Sequence, residues 1–134
     1  MMKLKNLLLI VLLFCCFEGK AQAVFNIINQ RAAVGTVPYD SLYATGTVFY
    51  TNLGNAPLYL TKVVTFCPCT KAEFSTEPLA PGDTAQIIIT HKLKDIGRFN
   101  EAAKVFYFDP DDDEAAKFVF LSGTAVKKEE PERE

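Results

Sequence analysis

The chain has 134 residues, a formal net charge of −2, 49% hydrophobic residues and no tryptophan. That length supports one domain around one core. A mildly acidic chain carries no net electrostatic footprint for nucleic acid, which usually demands a basic face, so no nucleic-acid partner is expected.

Residues 1–23 read as an export signal. Lys3 and Lys5 open it, an apolar run follows from Leu7 to Phe17, and Ala21-Gln22-Ala23 has the small-residue pattern of a cleavage site. Cleavage is expected after Ala23, with Ala21 as the alternative. The run is shorter than the roughly 20 apolar residues needed to span a bilayer, and no other segment is longer, so no transmembrane segment is expected. Cys15 and Cys16 raise lipid attachment as a second possibility. A lipid-modified cysteine normally follows a small residue, whereas Phe14 precedes Cys15. The signal carries Lys3, Lys5 and Lys20 against Glu18, a net +2, so the exported remainder stands near −4. Its expected location is the periplasm or cell envelope of a Gram-negative bacterium.

From residue 24 to 126, short runs of Val, Ile, Thr, Phe and Tyr alternate with Gly, Pro, Asn and Asp. Strands are predicted near Phe25–Gln30, Ala44–Thr51, Pro57–Val64, Lys71–Thr76, Thr84–His91, Arg98–Phe108 and Lys117–Val126. About seven short strands at this spacing predict an all-β fold, an immunoglobulin-like antiparallel β-sandwich. Residues 127–134, "KKEEPERE", lack apolar anchors and are predicted to be a disordered tail. The Asp109–Glu114 stretch offers oxygen ligands but lacks calcium-loop spacing, and reads as a solvated turn.

Alternation along each strand assigns faces. Val48 and Tyr50, Leu58 and Leu60, and Ala85, Ile87 and Ile89 are expected in the core. So are Ala103, Val105 and Tyr107, and Val119, Leu121 and Ala125. Phe106, Phe108, Phe118 and Phe120 then fall on the opposite face, with Phe49 of similar parity. Exposed together, they would make a large apolar patch. Either another segment covers them, or they form a contact surface for a protein partner or a second copy.

"TFCPCTK", residues 65–71, carries the distinctive chemistry. In an extended strand the Cα atoms of Cys67 and Cys69 would lie ~7 Å apart, near the upper limit for a disulfide. Pro68 biases Cys67 toward that extended form. A three-residue ring would stabilise the fold by only ~1.6 kcal/mol through chain entropy, which makes a structural staple a poor explanation. The predicted pairing of the fourth and fifth strands places His91, the only histidine, across from Cys69 or nearby, with Arg98 at the same rim. Thiolates and imidazole are zinc or copper ligands, and Arg98 would lower a thiol pKa. Zinc normally takes four ligands and only three are present; copper sites often add methionine, and both methionines fall in the signal. His91 shares parity with Ile87 and Ile89, so closing the end of the core is its plainer role.

"VFYTNLGNAPLYLTKV", "CPCT", "EPLAPGDTAQIIIT", "IGRFNEAAKV" and "FLSGTAV" form an ordered series over roughly Gly35 to Val126. The series resembles a secreted bacterial family known only as a domain of unknown function, with a Cys-Gly-Cys-Thr hallmark. That family is similar to the immunoglobulin-like folds of major sperm protein and PapD-type chaperones. Pro68 stands where the family has glycine, and Ala33-Val34 stand where it has Asp-Phe before the first glycine. The resemblance implies fold and export, and an aromatic residue at the position of His91. It implies no activity.

Two functions are therefore expected. The leading one is a non-catalytic binding or structural module of the envelope, using Phe106, Phe108, Phe118 and Phe120. The alternative is a thiol-redox or metal-binding protein using Cys67, Cys69 and His91, with zinc or copper as the metal.

Overall fold

The computed structural model describes residues 21–127, together with Leu4 and Asn6. Nearly all of the predicted export signal and charged tail lies outside the described residues. Among the described residues no helix is long and apolar enough to cross a membrane.

Eight strands form: β1 (Phe25–Ile27), β2 (Arg31–Pro38), β3 (Tyr43–Asn52), β4 (Leu60–Thr65), β5 (Thr70–Glu73), β6 (Thr84–Lys92), β7 (Gly97–Tyr107) and β8 (Ala116–Val126). They make two four-stranded sheets, ordered β1-β3-β6-β5 and β2-β8-β7-β4. Period-two patterning drives this arrangement. In β3, Ala44, Gly46, Val48, Tyr50 and Asn52 are buried while the residues between them face outward. The inner faces meet in a core that includes Phe25, Val48, Ile87 and Ile89 from the first sheet and Leu60, Ala103, Val105, Val119 and Leu121 from the second. Each large aliphatic or aromatic side chain contributes about 1.5–3 kcal/mol on burial. Phe25 ties the edge strand to both layers, touching the rings of Tyr50 and Tyr107 at 5.3 and 5.1 Å.

Every position expected in the core is buried or partly buried. Two features differ from the expectation. The strand β2 was not predicted, and it pairs in parallel with β8, so the sandwich is not wholly antiparallel. Its sequence hides it. Gly35 takes φ +69°, and the ladder shifts register between Ala33 and Thr36, which breaks the alternation. Pro38 ends the strand at a sheet edge, where its missing N–H costs nothing.

The second correction concerns the cysteines. They do not lie in an extended strand. Strand β4 belongs to the second sheet and β5 to the first, so residues 66–69 carry the chain from one layer to the other. At this corner the Thr70 N–H donates to the Cys67 carbonyl at 3.0 Å, and the Thr65 hydroxyl donates to the Thr70 carbonyl at 3.0 Å. The turn brings the Cα atoms of Cys67 and Cys69 to 5.1 Å, and the two sulfurs are joined in a disulfide.

Candidate functional site

The β4–β5 corner and the start of β7 enclose a cleft of about 290 Å³ at one rim of the sandwich. Cys67, Cys69, His91, Arg98, Phe99 and Glu101 all line it, so the three residues proposed as ligands and Arg98 do converge. The strand pairing explains why. Thr70 stands opposite His91 across the β5–β6 ladder, and the Lys92 N–H donates to the Cys69 carbonyl at 2.8 Å.

His91 is only 5% exposed. Its ring stacks on Phe99 at 5.5 Å, as its parity with Ile87 and Ile89 implied. Both ring nitrogens have polar neighbours: Nδ1 lies 3.0 Å from the Thr70 hydroxyl, and Nε2 lies 3.7 Å from a Glu101 carboxylate oxygen. Thr70 Oγ1 is in turn 4.0 Å from the Cys69 sulfur. The Cys67 sulfur accepts the Cys69 backbone N–H at 3.3 Å. Sulfurs joined in a disulfide offer no thiolate to a metal. Among the described residues no three His, Cys, Asp or Glu side chains are placed to hold one. What the arrangement can do is donate hydrogen bonds toward sulfur from both sides of the disulfide.

The outer face of the second sheet is the other candidate. Phe118 is 42% exposed, and Phe106 and Phe120 are partly buried, so no strand covers the three rings. Cations cover them in part. Lys62 Nζ sits 4.5 Å from the Phe106 centroid, and Lys104 Nζ lies 5.0 Å from Phe106 and 5.8 Å from Phe118. The Arg31 guanidinium sits 4.9 Å from Phe120. The register produces these contacts by setting Lys62 opposite Phe106, Lys104 opposite Phe118 and Arg31 opposite Phe120. Each such contact contributes about 0.5–1 kcal/mol at an exposed site.

Phe66, 63% exposed, stacks on Phe118 at 6.2 Å and extends the patch. Phe108 lies past the end of β7 and meets Tyr59 edge-on at 6.4 Å. Phe49 is on β3, hence on the outside of the other sheet. The sequence reading missed Phe66 and the cations. Their signal was present, since Lys62, Val64 and Phe66 alternate on one face just as Lys104 and Phe106 do.

Two tyrosines have raised pKa values. Burial raises Tyr50, and burial followed by the nearby carboxylates of Asp109 and Asp112 raises Tyr107.

Residues 25–123 match the family model described as "Protein of unknown function (DUF1573)", and the chain belongs to that family. No curated protein matches the chain. Among solved structures it is similar to a protein of unknown function from Porphyromonas gingivalis W83, with 16% identity, a TM-score of 0.62 and 81% of this chain covered. The chain spans about half, 50%, of that structure's length. It is also similar to a PapD-like domain of human CEP192, with 12% identity, a TM-score of 0.62, and 84% of this chain and 92% of that one covered. A third likeness is to the Vibrio cholerae VesB protease, with 13% identity, a TM-score of 0.61, and 78% of this chain and 32% of that one covered. At such identities these likenesses establish a shared PapD-like, immunoglobulin-type fold and nothing about activity.

Proposed function

We propose that this member of the family is an exported, non-catalytic binding module of the cell envelope, and that the outer face of its second sheet docks an acidic protein segment. The observation that carries the reading is the set of aromatic rings interleaved with cations on that face. Arg31, Lys62 and Lys104 lie against Phe120, Phe106 and Phe118, and among the described residues none of the three cations is ion-paired. Carboxylates meeting those cations, with apolar side chains against the rings, match the face in charge and polarity.

Self-association fits the face less well. A symmetric dimer through this surface would set one face bearing Arg31, Lys62 and Lys104 against another of the same charge. The export signal read in residues 1–23 supports an envelope setting.

The test uses a fluorescent peptide that alternates Asp or Glu with Leu or Phe, and a basic analogue of equal apolarity. Binding of the acidic peptide alone, weakened by salt and lost in a Lys62→Glu/Lys104→Glu double variant, is the expected result. Equal binding of both peptides, or unchanged binding by the variant, would overturn the reading.

A further inference from the structure

We infer that the Cys67–Cys69 disulfide is a thiol–disulfide exchange site, with Cys67 as the sulfur that is attacked and Cys69 as the leaving sulfur. The role goes beyond partner docking and rests on a different set of residues. Three observations support it.

The first is access. Both cysteines are partly exposed, and both line the rim cleft, so an incoming sulfur has a path. The second is sequence separation. A bridge between residues two apart constrains the unfolded chain little, so opening it forfeits little stability. The third is that the sulfurs are supplied with different donors. The Cys69 backbone N–H points at the Cys67 sulfur. The Cys69 sulfur faces the Thr70 hydroxyl, behind which stand His91 Nδ1 and then Glu101 beside Nε2. A structural bridge has no need of a chain of groups that leads from sulfur through hydroxyl and imidazole to a carboxylate.

The reductant is a thiol, carried by a peptide or a small molecule. Its thiolate attacks Cys67 Sγ. A bond forms between the two sulfurs as the Cys67–Cys69 bond breaks, and the electron pair leaves on Cys69. The attacking thiol has released its proton to solvent; the Thr70 hydroxyl protonates the Cys69 thiolate and is reprotonated from His91 Nδ1, and a proton from solvent in the cleft returns to Nε2 beside the Glu101 carboxylate. A second thiolate then attacks the substrate sulfur of the mixed disulfide. Cys67 leaves as a thiolate that its backbone N–H donor stabilises. Two thiols are oxidised to one disulfide, and Cys67 and Cys69 take up the two electrons. Thr70, His91 and Glu101 act on the leaving group through this chain. The attacking Cys67 of the reduced form is ready to run the reaction in reverse.

Reduced glutathione is the probe. The oxidised chain is mixed with it, quenched in acid at intervals, alkylated and mapped by mass. The expected result is that the disulfide opens and the transient adduct maps to Cys67. Thr70→Val should slow opening about tenfold or more, by loss of the proton donor, and Thr70→Ser should restore it. Circular dichroism establishes that each variant is folded. Independently, Cys69→Ser should form an adduct with oxidised glutathione faster than Cys67→Ser does. A disulfide that glutathione does not open would overturn the inference. So would an adduct on Cys69, Thr70→Val opening at the parental rate, or equal reactivity of the two single-cysteine variants.

Discussion

The side-chain amide of Asn52 donates to the carbonyl of Leu79 at 3.0 Å, joining two loops 27 residues apart at the end of the sandwich. The same nitrogen donates to the Ala56 carbonyl at 2.7 Å, while Oδ1 accepts the N–H groups of Val24 and Gly54 at 3.2 and 3.0 Å. Asn52 is fully buried, and its amide replaces backbone partners that three separate segments would otherwise lack.

Replacing Asn52 with alanine should therefore cost about 3 kcal/mol, since several buried backbone groups lose partners at about 1–3 kcal/mol each. Asn52→Asp should be nearly as damaging because a carboxylate cannot donate. Urea unfolding should report a lower midpoint at unchanged slope.

Gly54 is required by close approach. A Cβ there would strike the Gln22 carbonyl oxygen and lie 2.7 Å from the Val24 nitrogen. Both are backbone atoms that cannot rotate aside. Gly54→Ala should cost about 2 kcal/mol or more, by overpacking and by displacing residues 22–24 from the loop. Thermal unfolding with a near-ultraviolet signal measures it.

The same contacts bear on processing. The Gln22 N–H donates to Asn55 Oδ1 at 2.7 Å, and the Asn55 N–H donates to the Gln22 carbonyl at 3.0 Å. Cleavage after Ala21 keeps this pair, whereas cleavage after Ala23 removes it. A chain that begins at Gln22 should therefore unfold at a higher temperature than one that begins at Val24, and thermal unfolding of the two truncations measures the difference.

Removing the disulfide by Cys67→Ala/Cys69→Ala should lower stability by no more than ~1.6 kcal/mol, the chain-entropy value for so small a ring. Paired denaturation curves of parent and variant check this. A loss of several kcal/mol would mark the bridge as a staple.

Alkali should weaken the fold through two of its phenols. Burial holds Tyr50 and Tyr107 above the usual tyrosine value, with Asp109 and Asp112 adding to the shift at Tyr107. The unfolded chain ionises near pH 10. Stability tied to these groups is complete below that pH and is lost as pH rises through the higher folded values. Unfolding free energy measured at pH 8 and again above 10 should fall, and should fall less for Tyr107→Phe.

Strand alternation alone placed Val48, Ile87, Ile89, Val105, Val119 and Leu121 in the core, and put Phe106, Phe118 and Phe120 outside. Those assignments needed no knowledge of neighbours, because side chains on a strand point to opposite faces every second residue. The convergence of His91 with the cysteines was readable for a similar reason: a short loop between strands dictates an antiparallel return. Three features depended on distant partners. Strand β2 exists because β8 offers it a parallel edge, and its Gly35 bulge erases any local pattern. The cysteines meet because β4 and β5 belong to different sheets, so the chain must bend where Pro68 suggested extension. The cations reach the phenylalanine rings only through inter-strand register. Periodicity is carried by each segment separately, whereas sheet membership and register are settled by contacts among segments far apart in the chain.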